Sequence, residues 1–220
     1  EVEIEVRAAG LNFRDVIYAI GLLPDEALEE GFSGATLGME VSGVVTRVGP
    51  DVEALAPGDA VLAFAPAAFS NRVVTKAAAV ISKPADWSFA AAATVPTAFF
   101  TAYYALHELA RVREGERILV HGAAGGVGIA AIQIARHLGA EVFATAGTPE
   151  KRDFVRLLGA QRVQRDVDLA LEAGLAVEVG LPVADQDDFG HARIIGPSAS
   201  SGPRIPRPLR GSRRRAARAG

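Results

Sequence analysis

Residues 1–8 alternate charged and apolar side chains, with Val2, Ile4 and Val6 set between Glu1, Glu3, Glu5 and Arg7. That period of two predicts a strand with one buried face. Ala9-Gly10-Leu11-Asn12 reads as a turn, residues 14–20 as a short helix, and 21–36 as a loop rich in Gly, Pro and acids. Strands follow over 41–48 and 60–65, separated by the turns Gly49-Pro50-Asp51 and Pro57-Gly58-Asp59, with two shorter ones at Val73-Val74 and Val80-Ile81. Short strands between Gly/Pro turns predict a compact all-β barrel or sandwich over residues 1–85. From Trp87 the period becomes helical, and residues 88–110 form a helix pair broken at Pro96.

A different rhythm starts at Arg117-Ile118-Leu119-Val120, a buried strand running into the glycine cluster 121–128. The stretch 129–138 is helical and stops at Gly139; 141–146 is the next strand, and a further helix runs from Pro149 to Gly159. This β-α-β-α order opens a parallel, doubly wound α/β sheet. The rhythm ends after Val163. Residues 166–179 have room for one helix and a strand, and from Pro197 the Ser, Gly, Pro and Arg content without apolar periodicity predicts disorder.

Composition narrows the picture. With 50% apolar and 22% charged residues the chain is neither wholly disordered nor collagen-like. The lack of cysteine excludes a disulfide framework and a thiolate zinc site, and it suits a reducing cytoplasm. The net charge of −3 hides an asymmetry, because residues 193–220 carry eight arginines and no acid. That basic run has no interleaved aromatics, and no nucleic-acid partner is expected. The chain opens without Met, a basic segment or an apolar leader, which suggests a piece of a longer polypeptide without a signal peptide. The uncharged window 87–106 is long enough to span a bilayer. Its Pro96, four hydroxyl residues and alanine run fit a buried helix pair better, and no membrane partner is expected.

The strand, glycine cluster and helix together form a dinucleotide-binding signal. Backbone without Cβ atoms can approach a pyrophosphate, and the free N–H groups opening the helix donate to its oxygens. Two registers fit, Ala123-x-Gly125-x-x-Gly128 and Gly126-x-Gly128-x-x-Ala131. The first is preferred because it places the phosphate turn directly after the strand. The candidate cofactor residues of the loop are therefore Ala123, Ala124, Gly125, Gly126, Val127 and Gly128. An acid at the end of the second strand would favour NAD. Here the strand leaves through Thr145-Ala146-Gly147-Thr148, followed by Lys151 and Arg152, and Glu141 sits at the wrong end. Thr145, Gly147 and the two cations suit a 2′-phosphate, so NADPH is the expected cofactor.

These pieces occur in the order of a known family. Ala9-Gly10-Leu11-Asn12-Phe13-Arg14-Asp15-Val16, Leu37-Gly38-Met39-Glu40-Val41-Ser42-Gly43, Val48-Gly49-Pro50-Asp51-Val52, Pro57-Gly58-Asp59, Ala92-Ala93-Thr94-Val95-Pro96-Thr97 and Thr101-Ala102-Tyr103-Tyr104-Ala105-Leu106 resemble the medium-chain dehydrogenase/reductase superfamily. Within it, the Asn-Phe-Arg-Asp run (12–15) and the Thr-Pro-Glu-Lys-Arg run (148–152) resemble the enoylreductase domain of modular type I polyketide synthases. The resemblance implies a GroES-like β-barrel domain over 1–86, truncated at its N-terminus, and a partial Rossmann-type domain over 87–163. A divergent segment (164–196) and a disordered basic tail (197–220) follow. It also implies metal-free chemistry, since zinc alcohol dehydrogenases carry His where this chain has Met39, together with cysteine ligands. The implied reaction reduces the α,β double bond of an enoyl thioester on an acyl carrier protein: hydride from NADPH reaches the β-carbon and a proton the α-carbon. Neighbouring synthase domains are the implied partners. Asn12, Tyr18 and Leu23 are implied to line the substrate pocket, with Thr97 near the nicotinamide. An NADPH:quinone oxidoreductase and a catalytically silent NADPH-binding fragment are the rival readings.

The resemblance stops near residue 163. The family continues with a Gly-Val-Asp-Val-Val-Leu run and a Glu-Leu-Gly-Lys run whose Lys is a candidate proton donor. This chain has no lysine after Lys151, so no residue takes a catalytic role from the resemblance. Only an echo of the family pattern survives, in Asp188-Phe189-Gly190-His191-Ala192-Arg193-Ile194-Ile195-Gly196. An Arg-, Ser-, Gly- and Pro-rich tail is what a shifted reading frame yields in GC-rich DNA, and an incomplete sheet predicts poor solubility or low activity. Translating the coding DNA beyond codon 163 in the other frames is expected to restore the Gly-Val-Asp and Glu-Leu-Gly-Lys runs; if no frame contains them, the frame-shift expectation fails.

Overall fold

The computed structural model describes residues 1–25, 28, 31–165, 177–179 and 192–193. The first sheet comprises β1 (Val2–Ala9), β2 (Glu40–Val48), β3 (Ala60–Phe64), β4 (Arg72–Thr75) and β5 (Val80–Ser82). They pair antiparallel in the order β4-β1-β2-β3-β5. The alternation of β1 appears as predicted: Val2 and Ile4 are fully buried against Val41, Val45, Val61 and Val73. Burying each such side chain contributes about 1.5–3 kcal/mol. A short helix, α1 (Phe13–Ala19), leaves the end of β1.

The stretch after Trp87 divides at Pro96, as its sequence requires. In α2 (Phe89–Ala93) the Ser88 hydroxyl accepts the Ala91 N–H at 3.1 Å, capping the first turn. Pro96 opens α3 (Pro96–Tyr103), where its missing N–H leaves no helical bond unmade. The helix then widens into π-type turns over Tyr104–Leu109.

The second sheet holds β6 (Arg117–Val120), β7 (Glu141–Thr145), β8 (Arg162–Gln164), β9 (Val177–Val179) and β10 (Ala192–Arg193), in the order β10-β9-β6-β7-β8. The neighbours β9, β6, β7 and β8 run parallel, and β10 is antiparallel to β9. Ile118, Leu119 and Val120 are all buried, as a central parallel strand covered on both faces demands. The crossover helices are α4 (Gly126–His137) and α5 (Pro149–Leu157). Ile132, Val155 and Leu106 pack with Ile118, Val120 and Val142 into a second core.

The strand β8 is not anticipated by the sequence pattern, because three residues are too few to display a period. Pairing with β7 defines it, with Phe143 opposite Arg162 and Thr145 opposite Gln164. The strand expected within 166–179 is β9; the accompanying helix and the tail from Pro197 lie outside the described residues, as does the echo at 188–196 except for β10. No helix among the described residues is long and apolar enough to cross a membrane.

On the outer face of β1, Glu3 accepts hydrogen bonds from Arg47 and, at 2.6 Å, from the Thr46 hydroxyl; Arg72 lies at 3.4 Å. The Arg47 contact, then Thr46, hold its carboxyl at about 2, down from an ordinary 4.5. A depressed folded-state value means the contribution to stability is complete above about pH 4.5 and is lost as pH falls towards 2. Melting temperatures measured across that window are therefore expected to fall less steeply for Glu3→Gln than for the wild type, and equal slopes would contradict this.

Candidate functional site

The glycine turn is built from both sides. The Ala123 N–H donates to the Thr145 carbonyl on β7 at 2.9 Å, and the Gly125 N–H to the Gly122 carbonyl at 2.8 Å. The Thr145 hydroxyl, on a side chain that is almost wholly buried, accepts the Gly122 N–H at 3.3 Å and lies 3.2 Å from Nδ1 of His121. Thr145 thus braces the turn from below. A Cβ at Gly128 would lie 2.6 Å from the Ala123 Cα and 2.8 Å from its carbonyl atoms, so only glycine lets α4 approach the strand end this closely. This contact matches the register Ala123-x-Gly125-x-x-Gly128, in which the last glycine serves helix–strand packing.

The first turn of α4 faces outwards. Its first helical bond runs from the Ile129 N–H to the Gly125 carbonyl at 2.8 Å, and no side chain caps the helix. Among the described residues no acceptor meets the N–H groups of Gly126, Val127 and Gly128. Ala124 and Val127 are half-buried while Gly125 and Gly126 are exposed, and a Cβ at Gly126 would meet nothing within 4 Å. Unpaired N–H groups at the positive end of a helix dipole, beside open space, fit a diphosphate.

Beyond the tip of β7, Gly147 is exposed and open. Thr148 caps α5 by accepting the Lys151 N–H at 3.3 Å. Lys151 is exposed, whereas the Arg152 guanidinium folds back onto the carbonyls of Ala146 at 3.1 Å and Gly147 at 2.9 Å. Glu150 is held ionised below the usual carboxylate range, first by its own backbone N–H, then by the Thr148 hydroxyl and the Arg152 charge.

The pocket candidates divide into a connected pair and two outliers. The Asn12 side-chain amide donates to Oε1 of Glu40 at 2.7 Å, and the Thr97 backbone N–H donates to Oε2 at 2.8 Å. One carboxylate, 3% exposed, therefore joins the start of α1 to the start of α3. The Thr97 hydroxyl is buried without a hydrogen-bond partner among the described residues. Tyr18 stands further along α1 with its hydroxyl on the Ala35 carbonyl at 2.9 Å, and half-buried Leu23 lies in the bend beyond α1. Neither touches Glu40 in the described contacts. Sequence reasoning overlooked Glu40 as a site residue. Its signal was an acid heading an otherwise apolar strand, Glu40-Val41-Ser42-Gly43-Val44-Val45.

Residues 1–113 match the alcohol dehydrogenase GroES-like domain, and residues 126–173 the domain described as zinc-binding dehydrogenase. The spectinabilin polyketide synthase system protein NorB of Streptomyces orinoci is 53% identical over 159 residues, covering 72% of this chain and 7% of that protein. The crystal structure of CurK enoyl reductase superimposes with a TM-score of 0.74 at 42% identity, covering 80% of this chain and 57% of that one. Mycobacterial Rv1454c complexed with NADPH superimposes with a TM-score of 0.66 at 33% identity, covering 78% of this chain and 52% of that one. An antiparallel GroES-like sheet joined to a parallel Rossmann-type sheet is the architecture of alcohol dehydrogenase-like oxidoreductases. The chain belongs to the medium-chain dehydrogenase/reductase superfamily, on the branch of type I polyketide synthase enoylreductase domains. It spans a small part of its synthase relative and little more than half of the solved enoyl reductase. Among the described residues no group of three or more His, Cys, Asp or Glu side chains is arranged to hold a metal ion.

The Gly128 contact yields a stability test. Gly128→Ala is expected to lower the urea-unfolding free energy by about 1–3 kcal/mol through overpacking. Gly126→Ala, which faces open space, is expected to stay within about 0.5 kcal/mol of the wild type.

Proposed function

We propose that this chain carries the NADPH-binding half of an enoylreductase that reduces the α,β double bond of an enoyl thioester presented by an acyl carrier protein, within a multidomain polyketide synthase. The observation that carries this reading is the unpaired first turn of α4, set against a strand end by Gly128 and facing open space. The N–H groups of Gly126 and Val127 would hold the cofactor diphosphate, with Gly125 and Ala124 giving backbone access. Thr145 keeps the turn in shape from beneath. At the end of β7, Gly147 leaves room for the adenosine ribose, and the charges of Lys151 and Arg152 favour a 2′-phosphate over a bare hydroxyl.

When bound, NADPH supplies the hydride that the β-carbon accepts. The polar groups on the substrate side would come from this chain's own residues. Asn12 is held by Glu40, which also accepts the Thr97 backbone N–H, and the unpartnered Thr97 hydroxyl would accept a hydrogen bond from the carboxamide NH₂ of a nicotinamide or donate one to a thioester carbonyl. Donors aimed at a developing enolate oxygen matter most in such a reaction, each being worth about 2.7–4 kcal/mol of barrier in comparable sites.

Calorimetry tests the cofactor and spectrophotometry the acceptor. NADPH is expected to bind at least tenfold more tightly than NADH. Lys151→Ala should weaken NADPH by about three- to tenfold, or ~0.6–1.4 kcal/mol, and leave NADH unaffected. Oxidation of NADPH with a crotonyl thioester, and none with a quinone, would fit the proposed acceptor; the reverse preference would replace it with the quinone reading. No heat with either dinucleotide would remove the cofactor assignment itself.

A further inference from the structure

We propose that Glu40 is a positioning residue for Asn12 and Thr97: its carboxylate fixes the direction in which the Asn12 carbamoyl points and anchors the first turn of α3. The consequence for substrate rests on the enoyl-thioester reading above; the orientation itself does not.

The setting is specific to a carboxylate. Glu40 heads β2 and is 3% exposed, and each side-chain oxygen accepts one hydrogen bond, from Asn12 Nδ2 at 2.7 Å and from the Thr97 N–H at 2.8 Å. Its own carbonyl accepts the Gly10 N–H at 3.1 Å. A Cβ at Gly10 would stand 2.4 Å from Oε1, so the last turn of chain before Asn12 is cleared for this group. The Thr97 N–H belongs to the first turn of a helix, whose N–H groups have no acceptor within the helix, and a negative charge there is favourable. Glu40 pairs across the sheet with Phe64, which meets Phe100 edge-on at 5.4 Å, one turn beyond Thr97. The carboxylate thus lies where the polar pair Asn12 and Thr97 meets an aromatic wall.

Polarity makes this more than a tether. A carboxylate only accepts, so Asn12 must turn its NH₂ towards Glu40. In Glu40→Gln the side chain keeps its shape but offers one acceptor and one donor. The Thr97 backbone N–H cannot rotate, so it retains the amide oxygen. The new NH₂ then faces Asn12, whose carbamoyl must flip by half a turn. The substitution therefore reverses Asn12 while α3 stays in place.

The full chain contains two asparagines, Asn12 and Asn71, so ¹⁵N-Asn labelling gives two side-chain NH₂ signals, with Asn71 as the internal reference. In Glu40→Gln the Asn12 pair is expected to shift while the Asn71 pair stays. Affinity for crotonyl-pantetheine thioester should fall at least tenfold, with NADPH affinity within threefold of the wild type. An unmoved Asn12 pair overturns the proposal, as does wild-type thioester affinity. Loss of both ligands with loss of cooperative melting assigns Glu40 a purely structural role and also overturns it. The double variant Glu40→Gln/Asn12→Asp restores a donor–acceptor pair of reversed polarity. A folded double variant that still fails to take the thioester supports the proposal, and one that binds it normally contradicts it. If the wild type takes NADPH but not the thioester, the proposed function fails, and the response of the Asn12 signal to Glu40→Gln still decides the orientation.

Discussion

The Glu40 carboxylate gathers hydrogen bonds from residues 28 and 57 positions distant in the chain, Asn12 and Thr97. Removing such a group from water costs several kcal/mol unless hydrogen bonds replace the lost hydration. Here two N–H donors and the positive end of α3 replace it. The arrangement works only because Gly10 has no side chain, since a methyl group there would coincide with the carboxylate. Through this one group, the antiparallel sheet, α1 and α3 acquire fixed positions relative to one another. Helix α3 in turn packs along α4, the helix that carries the glycine turn.

Each sheet supplies its own apolar core, and the chemistry is placed where the cores end. The first core centres on Val2, Ile4, Val41, Val45 and Val61, and the second on Ile118, Val120, Ile132, Val142 and Val155. Polar groups with functional potential sit at strand ends and helix starts: Asn12 at the head of α1, Thr97 at the head of α3, and Gly126 to Gly128 at the head of α4. This follows from backbone chemistry, because the first N–H groups of a helix have no internal acceptor. The fold binds one such group to its own carboxylate and leaves those of α4 facing open space.

The match to polyketide synthase enoylreductases rests on these same positions. Motifs that are short and unremarkable singly, such as Pro57-Gly58-Asp59 or Thr94-Val95-Pro96-Thr97, identify the family through their order. Their physical content differs from one to the next. Gly128 is needed for contact with Ala123, Pro96 for starting α3 without an unpaired N–H, and Gly10 for the space that Glu40 fills.

Much of this was open to reading in the one-dimensional chain. The alternation of residues 1–8, the break at Pro96 and the strand–glycine–helix run at 117–137 are local, and local sterics and hydrogen bonding decide them. The strand β8 escaped because three residues carry no period and only pairing with β7 defines them. The task of Thr145 escaped as well: its hydroxyl was expected to face the cofactor, whereas neighbouring strands bring it beneath the glycine turn. Glu40 was visible as part of a motif, but its partners lie far away in sequence. Residue order determines which elements form and where the helix starts fall. Which buried charge meets which donor depends on distances between segments that only the packed fold brings together, and that is where the candidate site was decided.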